Sequence, residues 1–124
     1  MKKITADFGQ DAKSTFMKRG DTHTAITIKL GYDDMTPLVL TEDVQVYLAL
    51  ALGSSKEVLR VEGYVTRVDE VAFQLSESDY AKLVGSNYLA EVHVELEGKR
   101  RIAPMDSYLE VNLMDSIYWE ATHE

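Results

Sequence analysis

The residues able to do chemistry are few, and their spacing suits none of the common reactions. Arg19-Gly20-Asp21 spells the integrin-attachment tripeptide. It stands just before an alternating run, where Gly supplies a permissive backbone and Asp a side-chain acceptor, so it reads as a turn. His23, His93 and His123 are far apart, and none forms the His-x-His or His-x-x-x-His pair that grips zinc. His93 falls on the polar side of its stretch and reads as a solvated histidine. Asp33-Asp34 and Glu42-Asp43 offer the oxygens calcium takes, yet no loop alternates acidic ligands around a central glycine. Ser54 and Ser55 have no Gly-x-Ser-x-Gly elbow to raise a nucleophile. Carboxylates are abundant enough for a glycosidase pair, but nothing singles out two of them. The seven glycines are dispersed and make no phosphate-binding loop. Tyr32, Tyr47, Tyr64 and Trp119 remain as rings that stack on sugars or meet a partner protein. The chain therefore reads as non-enzymatic, with no catalytic residue, cofactor or metal expected.

The totals narrow the class further. A chain of 124 residues suits one domain whose core buries most of its apolar side chains without a staple. Cys is absent, which excludes disulfides, zinc-thiolate sites and thiol catalysis and fits folding in a reducing cytosol. Thirteen basic residues against 21 acidic ones give a net charge of −8 and a pI near 4.8. That surface repels phosphate, so neither nucleic acid nor an anionic membrane is an expected partner. No apolar run approaches the roughly 20 residues of a membrane span. The opening Met-Lys-Lys-Ile-Thr-Ala has no apolar stretch behind its lysines, so no signal peptide is expected.

The elements that must position these residues are extended. Tyr88, Ala90, Val92, Val94 and Leu96 fall on one side of a strand, and Leu89, Glu91, His93 and Glu95 on the other. Gly85-Ser86 opens this stretch and Glu97-Gly98-Lys99 closes it. Ile26, Ile28 and Leu30 alternate likewise, as do Val44, Val46, Leu48, Leu50 and Leu52. Opposite the latter run, Ala49 and Ala51 are small enough for either face. Val58, Arg60 and Glu62 alternate with Leu59 and Val61, and 64–68 are expected to prolong that ribbon. Leu38-Val39-Leu40 is a short apolar plug for the edge. Ser76 with Asp79 three residues on makes a near capping box, with Tyr80, Leu83 and Val84 at helical spacing and Gly85 as the stop. Pro104 cannot donate to a ladder and marks a bulge or break before Leu109, Val111 and Leu113. The pattern predicts an all-β fold: an immunoglobulin-like antiparallel β-sandwich of seven to eight strands, with one short helical turn near 77–84. Tyr88, just after a turn, suits a tyrosine corner. Residues 1–13 are expected as a flexible N-terminal arm or an irregular edge strand, 14–113 as the sandwich, and 114–124 as a C-terminal tail or the start of a linker.

Several short motifs in one order carry a resemblance. They are Phe16-Met17-Lys18-Arg19-Gly20-Asp21-Thr22, the strand Ala25-Ile26-Thr27-Ile28-Lys29-Leu30, the turn Leu75-Ser76-Glu77-Ser78-Asp79, then Gly85-Ser86-Asn87-Tyr88-Leu89-Ala90-Glu91-Val92, and Glu97-Gly98-Lys99-Arg100 leading to Pro104. The series resembles the N-terminal immunoglobulin-like domain of phage baseplate upper proteins from siphophages of Gram-positive hosts, over about residues 14–113. The resemblance implies a virion structural module, made in the bacterial host cytoplasm and built into the phage tail. It would dock on the tail hub, support receptor-binding components, and contact other tail or baseplate proteins as a homo-oligomer. Ile117, Tyr118 and Trp119 are then the candidate partner-binding residues; the competing reading folds them back onto their own sandwich. The alternative function is a carbohydrate-binding or adhesion module using the exposed rings.

Overall fold

The computed structural model describes residues 2–53 and 56–122. Nine strands and two short helices lie among them: β1 (Ile4–Asp7), β2 (Ser14–Lys18), β3 (Ile26–Tyr32), β4 (Val46–Ala51), β5 (Glu57–Arg67), β6 (Glu70–Phe73), α1 (Glu77–Lys82), β7 (Asn87–Leu96), β8 (Lys99–Ala103), β9 (Leu109–Met114) and α2 (Ile117–Thr122). They form an immunoglobulin-like β-sandwich. One sheet pairs β1, β3, β6 and the second half of β5; the other pairs the first half of β5, β4, β7, β9 and β2. β7 is central to the second sheet. It pairs β4 along one edge, and β9 followed by β8 along the other. Pro104 sits at the break between β8 and β9, where a missing N–H does no harm.

Alternation decides what meets in the middle. Tyr88, Ala90, Val92 and Val94 of β7 point inward with Val46, Leu48 and Leu50 of β4, while Ile26, Ile28 and Leu30 of β3 and Val71 and Phe73 of β6 come from the other layer. All are buried in one cluster. The expected plug is real for two of its three residues: Leu38 and Leu40 are buried and Val39 faces out. Leu40 N donates to Val68 O at 2.6 Å, which ties this stretch to the turn after β5. Tyr88 makes the corner: its hydroxyl accepts from Gly85 N at 2.6 Å and fixes the entry into β7.

Several expectations change, the strand number first: nine strands stand where seven to eight were expected. Of the two readings of residues 1–13, the edge strand is the one present: β1 occupies Ile4–Asp7 at the end of its sheet and buries Ile4 and Ala6. Two apolar residues are too few to mark a strand in sequence; β1 gains its place by pairing Ile4 with Tyr32 and Ala6 with Leu30 of β3. The sheet is mixed rather than purely antiparallel, since β2 runs parallel to β9 with Phe16 opposite Asn112. The stretch beyond 114 is not only a tail: a second helix, α2, begins at Ile117. The capping box of α1 forms as read, with Asp79 N donating to Ser76 Oγ at 3.1 Å and Ser76 N donating to Asp79 Oδ2 at 2.9 Å. The helix stops at Lys82, so Gly85 lies in the turn after it rather than at its end.

Candidate partner-contact site

The turn between β2 and β3 is the base on which the chain's last helix rests. Arg19 N donates to Met114 O at 2.8 Å, which ties the turn to the end of β9. The Arg19 side chain then runs inward and is only 9% exposed. Its Nη1 donates to Leu83 O, its Nη2 donates to Gly85 O at 3.1 Å, and its Nε lies 3.5 Å from the exposed carboxylate of Asp115. A planar fork of donors is what two adjacent carbonyls need. Asp21 closes the turn by accepting from the backbone N–H groups of His23 and Thr24 at 3.0 and 2.9 Å. These bonds, Thr24's foremost, hold its carboxyl below the usual carboxylate range. The Arg-Gly-Asp tripeptide is thus a structural turn whose arginine is spent inside the chain.

α2 docks on that turn. Ser116 Oγ donates to Arg19 O and accepts from Trp119 N at 3.0 Å, so one hydroxyl both caps the helix and anchors it. The Trp119 ring packs on the core at 6.0 Å from Tyr80, tilted by 58°. The Tyr118 hydroxyl donates to Glu77 of α1. Gly20 is required here: a Cβ on it would lie 2.9 Å from Tyr118 Cδ2 and 3.2 Å from Trp119 Cε3, and its φ of +96° already suits glycine. Ile117 faces the other way and is 91% exposed. The three residues expected to contact a partner therefore divide. Trp119 folds back, Tyr118 bridges to α1, and Ile117 alone points fully outward. Between α1 and α2 lies an open groove of about 330 Å³, lined by Tyr80, Ala81, Val84 and Trp119. Val84, read from sequence as a helical inward position, is 86% exposed at its rim, because the helix ends two residues earlier.

Tyr80 lies under this groove and donates its hydroxyl to Asp21 O at 2.7 Å. Burial, then the nearby charges of Asp21 and Asp79, push its pKa from the ordinary 10.0 up to about 12. The folded state therefore holds this proton longer than the unfolded chain does. Below pH 10 both states are neutral and the full stability is present; it falls as pH rises from 10 to about 12. Urea unfolding across this window is expected to show wild type losing roughly 2–3 kcal/mol more than Tyr80→Phe, which has no proton to release.

Among the described residues, the remaining sequence candidates sit in separate local contacts. Asp34 accepts from the hydroxyl and the backbone N–H of Thr36, which lower its pKa, and Asp33 accepts from Lys3 N. Among the described residues no group of three or more His, Cys, Asp or Glu is arranged to hold a metal ion. Tyr32 lies under the Lys2 ammonium, 5.2 Å from its ring centroid, and Tyr64 stands half exposed on β5. Tyr47 and His93 prove to be partners on the outer face of β4 and β7 rather than solvated singly. Ser54, Ser55 and His123 lie outside the described residues. No described helix is long and apolar enough to cross a membrane. No known family model matches this chain, and no curated protein is similar to it.

Proposed function

We propose that this chain is a non-enzymatic structural module of a phage tail baseplate, docking on the tail hub and supporting receptor-binding components. One observation carries the reading: the motif series of the resemblance coincides with the residues that set the sandwich's turns and caps. Gly20-Asp21 makes the turn that receives α2, Ser76 and Asp79 cap α1, Gly85 and Tyr88 form the corner, and Glu97-Gly98 makes the hairpin between β7 and β8. Such residues specify a rigid block, which suits a scaffold. Its partners are other tail or baseplate proteins and further copies of itself, and its destination is the virion. Cyclic symmetry multiplies a modest contact, so each interface can be small. Ile117, on the outward side of α2, and Val84, at the rim of the groove between the helices, are the proposed contacts.

Co-expression with a phage tail hub protein tests the proposal. A complex of fixed stoichiometry is expected in native mass spectrometry. Ile117→Asp is expected to weaken it by about 2 kcal/mol, or roughly thirty-fold, while leaving the isolated chain's melting temperature unchanged. No complex with that protein would count against the reading.

A further inference from the structure

β5 is an edge strand along its whole length. Its first half pairs only with β4 and its second half only with β6, so one side of the strand meets no other strand. Beyond those two ladders, no backbone hydrogen bond among the described residues reaches Glu57–Arg67. Such a row of unpaired N–H and C=O groups is a template for another strand. Val58, Arg60, Glu62, Tyr64 and Thr66 point outward along it and are exposed, while Leu59 and Val61 are buried beneath.

The outward groups have capacity to spare. Among the described residues, the Glu62 carboxylate and the Tyr64 hydroxyl have no hydrogen-bond or ion-pair partner. Arg60 donates from Nε and Nη2 to Glu57 at 3.3 Å each and lays its guanidinium over the Tyr47 ring, 4.2 Å from the centroid. Its Nη1 is left over.

Charged side chains on an edge usually keep other strands away. Here their order admits one strand in particular, which is β5 itself. Two-fold antiparallel pairing sets residue i opposite j and j opposite i, and it keeps outward side chains on one face. Centred on Val61, it places Arg60 opposite Glu62 of the second copy and Glu62 opposite Arg60. The same register sets Val58 against Tyr64 twice over. Opposite charges and aromatic–β-branched pairs are the cross-strand neighbours that stabilise a sheet. Moving the centre to Arg60 sets arginine against arginine, and moving it to Glu62 sets glutamate against glutamate. Gly63, where the strand passes from one sheet to the other, bounds the paired segment near Tyr64. Copies carrying a net charge of −8 repel one another, so a contact between them has to bring opposite signs together.

We propose that β5 pairs edge to edge with β5 of a second copy of this chain, antiparallel and centred on Val61, so that two sandwiches share one continuous sheet. The contact is small and its dimer weak. It lies apart from the groove between the helices and does not depend on the tail-docking reading.

Sedimentation velocity of the full chain, over a concentration series reaching the millimolar range, tests it. A monomer–dimer equilibrium is expected, with concentration-dependent ¹H–¹⁵N shifts concentrated at the amides of 58–64. Arg60→Glu and Glu62→Arg each turn both attractions into repulsions and are each expected to weaken the dimer at least about ten-fold. An equimolar mixture of the two single variants is expected to form a heterodimer, because every charged pair across the two-fold is then an arginine facing a glutamate. A role for these residues in the fold alone would give no such rescue on mixing. A chain that stays monomeric throughout the series, single variants that dimerise as the wild type does, or a mixture that remains monomeric would each overturn the proposal.

Discussion

Gly63→Ala is expected to destabilise the sandwich by about 3 kcal/mol and lower its melting temperature by roughly 10 °C. Gly63 is where β5 leaves one sheet for the other. Glu62 is the last described residue of β5 paired with β4, and Gly63 is the first paired with β6, opposite Phe73. The buried Phe73 ring lies across the space a side chain would occupy. A Cβ on Gly63 would meet Phe73 Cδ1 and Cε1 at 2.4 Å and Ala72 O at 2.5 Å. The ring can be moved only by opening the core, and the carbonyl belongs to the strand ladder. The requirement here is room, not backbone freedom. Gly98 offers the contrast, since nothing lies within 4 Å of its Cβ position and its demand comes from a φ of +76°. Gly98→Ala is accordingly expected to cost about 1 kcal/mol. Thermal unfolding of the two variants distinguishes the causes. Phe73→Leu added to Gly63→Ala should recover part of the loss if the ring is the obstacle. A cost below that of Gly98→Ala would show that β5 crosses between sheets with slack.

Arg19→Met is expected to cost about 3 kcal/mol and to loosen α2 at the same time. Methionine keeps the apolar stem but withdraws both donors from Leu83 O and Gly85 O and leaves Asp115 without its cation. These carbonyls belong to the turn between α1 and β7, beside the Gly85 N–H that holds Tyr88. The damage therefore reaches the corner as well as the helix dock. Trp119 is the only tryptophan, so its fluorescence reports on the dock alone. Its emission should shift to longer wavelength in Arg19→Met as the ring leaves Tyr80 for water. Arg19→Lys should fall between the two, because one ammonium on a flexible stem cannot span both acceptors as a fork does. An unchanged Trp119 spectrum and midpoint would mean that water serves these carbonyls as well as the guanidinium.

The two expectations differ in how far the sequence foretold them. The long alternating run of β7, the alternation of β3 and β4, the capping box of α1 and the break at Pro104 are local patterns, and each survives folding. β1 was faint because only Ile4 and Ala6 mark it. α2 was missed because Ile117, Tyr118 and Trp119 are consecutive and show no helical spacing; Ser116, its cap, was the one available signal. Arg19 was legible as a turn residue but not as a buried one, since its acceptors lie 64 and 66 residues away. The stack of Tyr47 on His93 was hidden for the same reason. Tyr47 and His93 are 46 residues apart, and only the register between β4 and β7 sets their rings face to face.

The sequence by itself determined that this is an all-β sandwich with a dry and a wet side to each major strand, because period-two alternation is a property of neighbouring residues. It also determined the positions of the turns, because Gly, Pro, Ser and Asp act on the backbone within a few residues of themselves. Only the tertiary structure decided which strands are neighbours, that β5 serves both sheets, that β2 runs parallel to β9, and that α2 closes over Arg19. Those outcomes rest on pairing and burial between segments far apart in the chain, where many registers satisfy the same local pattern and packing selects one.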